Sequence, residues 1–400
     1  AIACVVIARY APIPQVASTV LYALGPILLA VFVALIFGHP RISDRLERAR
    51  YLRQLKLDAA ARLRRDWDHF PVPPTPVGFR DHATAKELDL FGHASLFHLV
   101  NTAITPGGRE CLADWLSNPT DPETASARQP AVHELAPMLD WRQELHLAGQ
   151  DLHDRDESRN AMPVREEATP WISNRPALLL ASRLLPAAFV VLALCQLGGL
   201  LPKPWWLFPL IAMFGLNKVF GKRIEHTLGD IRREESALQA YSSVFAKLEE
   251  LAPQSDWLEH HHDQIEGAHE AVEQLCNYAT SNAARGSIVY PLLKYGLMWD
   301  FHVARGVEEW HADHAQKVGG WFEALAQIEA AASLSNLHHD EPDWVFPEFS
   351  PEKSVVALQL GHPLIDPASR VANDLTIAPP GHFLLITGSN MSGKSTLLRS

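Results

Sequence analysis

The sequence predicts a mainly α protein that changes character near its end, where residues 346–400 read as the start of an α/β domain. Three observations lead there. Two long runs are almost free of charge and sized for membrane helices. From Thr227 onward, apolar residues recur at helical spacing. Two β-like runs then precede a turn rich in glycine. The implied order is a transmembrane hairpin with a truncated first helix (1–40), a basic juxtamembrane helix and Pro-rich linker (41–79), and a core segment (80–175). A second transmembrane hairpin (176–220), lever and core helices (221–345) and the α/β start (346–400) follow.

The first run, "STVLYALGPILLAVFVALIF" (18–37), supplies the roughly 20 apolar residues of a spanning helix and carries no polar stripe; a buried core helix is the competing reading. Gly25 and Pro26 are candidate kink positions within it. Residues 41–65 hold nine Arg or Lys against three acids, a bias that marks the cytoplasmic side. That run reads as a juxtamembrane helix on anionic lipid, or else as a DNA-contacting helix using Arg45, Arg48 and Arg53. In the second region, 184–202 is one uncharged stretch and 204–217 a shorter one that reaches the interface if Lys218 and Lys222 snorkel, with Trp205 and Trp206 at headgroup level. A multi-pass protein of the inner, cytoplasmic membrane follows, its soluble parts in the cytoplasm.

With 47% apolar residues the chain can bury a large core, and a net charge of −11 excludes a global basic footprint for nucleic acid. Cys4, Cys111, Cys195 and Cys276 are far apart and suggest neither a zinc site nor a disulfide framework. The chain begins at Ala1 inside an apolar run and stops within a helix, so it reads as a fragment.

Between 80 and 135, short amphipathic segments alternate with turns: Pro106, Gly107 and Gly108 read as helix stops, and "TDPET" marks the next boundary. Cys111, Leu112, Trp115 and Leu116 share one helical face. Leu228, Ile231, Leu238, Tyr241, Phe245 and Leu248 predict a long lever helix from Thr227. Residues 234–285 carry ten acids against two bases, a surface that repels phosphate. Within it His262 and Glu266, four apart, could share a metal, though solvated histidines are the plainer reading. "ALAQIEAAASLSNL" (324–337) is a small-residue helix suited to close packing.

"SVVALQLGHPLI" (354–365) and "HFLLIT" (382–387) read as strands, the second buried, and "GSNMSGKS" follows at once as G-x-x-x-x-G-K-S. The spacing has a mechanical reason. Gly388 and Gly393 let backbone N–H groups of Ser389, Asn390, Met391 and Ser392 turn toward phosphate oxygens, aided by the helix N-terminus. Lys394 then reaches the β and γ phosphates of ATP and serves catalysis, Ser395 ligates Mg²⁺, and Thr396 belongs to the same nucleotide-binding set.

The wider stretch "TGSNMSGKST" resembles the MutS family of ATPases, with its T-G-x-N-M-x-G-K-S-T loop. "GHPLI" (361–365) is similar to the family's arginine-histidine-proline strand, with Gly361 in place of arginine, and "VANDLTI" (371–377) to its asparagine-containing approach. "LDLFGHASLFHLVNTAITPGGRECLADWLSNP" (88–119) looks like the start of the family's core, and "IEAAASLSNL" like the helix returning from lever to ATPase. The likeness covers residues 86–150 and, more loosely, 221–400. It implies an ATP- and Mg²⁺-dependent ATPase, homodimeric through its ATPase domains, that clamps mismatched or branched DNA. Where relatives present an aromatic to adenine this chain has Arg370 and Val371, so a guanidinium takes the base. No mismatch-reading module precedes the core, "WFEA" (321–324) lies in the wrong place to be its wedge, and the loop differs from that of the endonuclease-bearing branch. The remaining catalytic acids and base are expected beyond residue 400. The alternative function is an ATP-driven membrane scaffold or mechanoprotein acting on a protein partner without DNA.

Overall fold

The computed structural model describes residues 15–80, 82–152, 170–283, 290–351, 354–377, 381–387, 389 and 393–400. Among the described residues helix dominates, and the strands amount to one two-stranded ribbon. Residues 1–60 form one unit and 61–400 another.

The described residues of the first unit belong to α1, Gln15–Leu63, which continues three residues into the second. The apolar run and the basic run, expected as separate elements, belong to this one helix. Arginine, lysine, leucine and alanine are good helix formers, so nothing after Pro40 halts propagation. Ile27, Leu28, Leu29, Val31, Phe32 and Leu35 are exposed. The first arm of the expected amino-terminal hairpin lies outside the described residues.

In the second unit, α2 (Ala83–Glu87) and α3 (Leu96–Val100) lead to α4 (Pro106–Ser117), α5 (Pro122–Leu135) and α6 (Leu139–Ala148). The triplet Pro106-Gly107-Gly108, expected to stop a helix, starts one. Thr105 is the N-cap, its hydroxyl accepting from Gly108 N at 3.0 Å, and Pro106 occupies the first turn, where a missing N–H costs nothing. Asp121 caps α5 in the same way through Thr124 N, at 2.8 Å.

Helices α7 (Pro176–Leu197) and α8 (Leu207–Arg233) pack as a hairpin, followed by α9 (Glu235–Glu249), α10 (Asp256–Gln264) and α11 (Ala268–Ala283). The lever periodicity marked the right face, since Leu228, Ile231, Leu238, Tyr241, Phe245 and Leu248 are all buried. It marked the wrong element. The chain breaks at Glu234, so Leu228 and Ile231 belong to the end of α8 and the other four to α9. The long helix is α12, Trp299–Asp340, 42 residues that take in both "WFEA" and the small-residue stretch.

The helix α12 packs against α3, α4, α5, α7, α8, α10 and α11 and places Phe301, Trp321, Leu325 and Ile328 in the main core. Its few buried polar residues hold loops. Glu329 accepts from Ile104 N and Thr105 N, both at 3.2 Å, and from the Thr105 hydroxyl. Six turns earlier, Glu308 accepts from the backbone N–H groups of Trp171, Ile172 and Ser173 at 2.9–3.0 Å. Burial pushes the Glu329 carboxyl up from its usual range, against the opposing pull of these donors and Arg109. Arg142, pushed down to about 10 by burial, donates to Ser335 and to the Ala136 carbonyl.

Strands β1 (Val355–Leu360) and β2 (Asn373–Ile377) pair antiparallel, with an irregularity between Ala357 and Leu360 where Gln359 has φ +53° and gives its N–H to Asp374. Residues 382–387 are not a strand, and Phe383, Leu384 and Leu385 are exposed. A strand buried on both faces needs a strand beside it and helices over it; among the described residues β1 and β2 pair only with each other.

A Cβ on Gly108 would sit 2.1 Å from Glu329 Oε2 and 2.8 Å from its Cβ, whereas one on Gly319, farther along α12, meets nothing within 4 Å. Gly108→Ala should therefore lower stability by about 2 kcal/mol, and Gly319→Ala should raise it by about 1 kcal/mol by restoring helix propensity. Chemical unfolding of the two variants checks the opposite signs.

Candidate functional site

The turn that carries the phosphate-loop pattern leads into a short helix, α13 (Lys394–Leu398). Its N-cap, Gly393, has φ +82°, a left-handed conformation that costs a side-chain-bearing residue energy and glycine almost none. This is the second glycine of the motif. Lys394 folds back along the turn and donates from Nζ to the Ser389 carbonyl at 2.7 Å. A lysine drawn onto its own loop lies where a phosphate oxygen could replace the carbonyl as acceptor. Ser395 is exposed, with Thr396 partly buried behind it. Gly388, Asn390, Met391 and Ser392 lie outside the described residues.

Arg370, the candidate base-stacking residue, is held beside the ribbon. Its guanidinium stands 5.1 Å from the centre of the Trp344 ring, and Nη2 lies 3.9 Å from Glu341 Oε2. Gly361 makes room for it, because a Cβ there would meet Arg370 Cδ at 2.7 Å. The absence of a side chain at 361 and the presence of arginine at 370 are thus one packing arrangement. Val371 beside it is 77% exposed.

The other carboxylate oxygen of Glu341 accepts from Arg65 Nη2 at 2.6 Å. Arg65, whose side chain is only 3% exposed, also donates from Nε to the Pro363 carbonyl at 3.0 Å and from Nη1 to the Arg62 carbonyl at 3.0 Å. One glutamate at the end of α12 therefore joins the arginine that follows α1 to the arginine that precedes β2. The sequence alone does not reveal this knot, because Arg65 reads with the basic run and its partners Glu341 and Pro363 lie 276 and 298 positions away.

In the same unit, Arg399 pairs with Asp89. The Arg399 charge and burial together hold the His362 imidazole below its usual range, burial being the larger cause. His362 Nδ1 accepts from Leu364 N at 3.2 Å, which fixes the turn after β1.

In the histidine run His260 and Glu266 are exposed, His262 is half-buried, and His261 is packed. His261 donates from Nδ1 to the Trp257 carbonyl at 2.8 Å, its ring lies 4.1 Å from the Trp257 ring, and burial lowers its pKa. Among the described residues no group of three or more His, Cys, Asp or Glu side chains could hold a metal ion. Cys111 is pushed up to about 12 by burial and is a poor nucleophile at neutral pH.

Among the described residues one helix, α7, is long and apolar enough to cross a membrane. Its hairpin partner is not, because charged residues enter α8 from Lys218 onward.

Removing the partner of a buried arginine is costly, so Glu341→Ala should lower the stability of the second unit by about 3 kcal/mol and speed amide exchange around Pro363 and Arg370. Hydrogen exchange read by mass spectrometry checks both. No family model matches this chain, and no solved structure matches it.

Proposed function

We propose that the protein is a membrane-anchored ATPase of the MutS type, in which ATP binding at the 388–396 loop moves a helical lever. The observation that carries this reading is the left-handed Gly393 at the head of α13, with Lys394 turned onto the Ser389 carbonyl, at the spacing G-x-x-x-x-G-K-S. The described donors fit a nucleotide. Lys394 would meet the β and γ phosphates, the Ser395 hydroxyl would ligate Mg²⁺, and Gly393 leaves the backbone room to approach. Bound ATP would supply a γ-phosphoryl group for transfer to water, with ADP as the leaving group. A homodimer through the ATPase domains, a DNA ligand and a multi-pass inner-membrane location complete the reading; the resemblance supports the first two. The exposed apolar residues of α1, α7 and α8 support a membrane anchor.

A second reading rests on a specific observation. Glu250, Asp256, Glu259, Asp263, Glu266, Glu270 and Glu273 are all exposed along α9 to α11, a surface that repels a phosphate backbone. It favours a lever that acts on a protein partner instead of DNA.

In membrane-reconstituted full-length protein, Lys394→Ala should abolish ATP turnover while leaving the helical circular dichroism unchanged. Turnover at the wild-type rate would remove the ATPase assignment. Titration with matched, mismatched and branched duplexes over a range of salt separates the two readings: a DNA clamp gives affinity that falls steeply with salt, and a protein-directed lever gives none. Because the residues directly before the core are an apolar run and a basic run suited to lipid or phosphate contacts, matched and single-mismatch duplexes should bind within about tenfold of each other.

A further inference from the structure

The α7–α8 hairpin carries a second reading in its dimensions, which rests on the membrane anchoring proposed above. Its arms are clamped to the soluble body at a defined level. On α7, Leu178, Ser182 and Pro186 are buried. On α8, Met213 and Asn217 are buried; Asn217 Nδ2 donates to the Lys294 carbonyl at 3.3 Å, and Phe214 packs on the Tyr295 ring at 5.4 Å. The turn around Leu292–Gly296 thus grips α8 and fixes how much helix stands clear.

Beyond that level the side chains are apolar and exposed: Val190, Val191, Leu194 and Leu197 on one arm, Leu207, Phe208 and Ile211 on the other. The arms hold each other at the tip, where Trp206 Nε1 donates to Gln196 Oε1 at 2.5 Å and Phe189 meets the Trp206 ring edge-on. Two belts of charge bound this surface, and both are basic. At the neck stand Arg183, Lys218 and Lys222, all exposed. At the tip stand Lys203 and the half-exposed Trp205. No acid lies between 176 and 224.

The distance between the belts is small. Leu184–Leu197 is about 20 Å of helix, and Leu207–Asn217 about 16 Å, against a hydrocarbon core of about 30 Å. A lysine and a tryptophan at the tip suit an interface and not the bilayer centre. The neck cannot slide inward to lengthen the span, because Asn217 and Phe214 are committed to the 290–297 turn.

We infer that the hairpin crosses the bilayer completely with both basic belts at phosphate level, and that it therefore fits a thin membrane, or thins the one it occupies, with anionic lipid around its neck. Snorkelling of Lys203, Lys218 and Lys222 covers part of the shortfall, and the bilayer supplies the rest.

The test uses full-length protein with its native cysteines replaced by alanine, carrying Pro204→Cys at the tip or Lys222→Cys at the neck. It is reconstituted in sealed vesicles of mixed phosphatidylcholine and phosphatidylglycerol with monounsaturated chains of about 14, 18 or 22 carbons, spanning the range of hydrophobic thickness. Membrane-impermeant maleimide is supplied either outside or trapped within. In the two thinner bilayers the tip should be labelled from the side opposite the neck, and in the thickest that labelling should fall at least about fivefold. Opposite-side labelling that is equal at all three thicknesses overturns the short-span inference. A tip that never reacts from the opposite side overturns the crossing and leaves a wedge in one leaflet. Protein that does not float with vesicles of any composition would instead remove the membrane anchoring on which this rests.

Discussion

The fold depends on buried carboxylates that one long helix presents to the backbone of distant loops. Glu308 and Glu329 stand 21 residues apart on α12, close to six turns, and each accepts hydrogen bonds from consecutive amides of a loop far away in sequence. A carboxylate costs several kcal/mol to bury alone, but two or three charge-assisted bonds offset that cost and fix geometry as well. Glu329 places the start of α4, and Glu308 places the approach to α7. Around Glu329, Ser333 accepts from Thr102 N and Asn336 donates to the Thr102 hydroxyl, so the polar exceptions in a small-residue helix serve one purpose.

This arrangement ties the core segment, the approach to the hairpin and, just past its end, the segment beside the ribbon to α12 within the second unit. Its upper part holds α7 through Glu308; its lower part holds α4 through Glu329; and Glu341 just past its end joins Arg65 to the region of Arg370. A helix of 42 residues is stiff on this scale, which is the property that the proposed lever requires.

The turn that leads into α13 shows how local signals outrun tertiary ones. Gly393 adopts its left-handed turn and α13 starts at Lys394, both dictated by residues within a few positions. The apolar run before it has no strand beside it among the described residues and stays extended and exposed. A turn is made by its own residues, whereas a buried strand is made by its neighbours.

The sequence by itself determined the helical class, the buried face of the α8–α9 region, the close-packed nature of 324–337 and the glycine-lysine turn, because periodicity and glycine act over a few residues. It misplaced helix boundaries where one residue has two local meanings: Pro106 reads as a stop after a helix and as a start within a first turn, and only the Thr105 cap decides. Only the tertiary structure decided what Glu308, Glu329, Arg65, Glu341 and Arg370 do, since their partners lie 135 to 298 positions away or hang on a glycine that leaves space. Charge in a sequence is visible at once, but whether it faces water or a buried amide is set by what the rest of the chain brings against it.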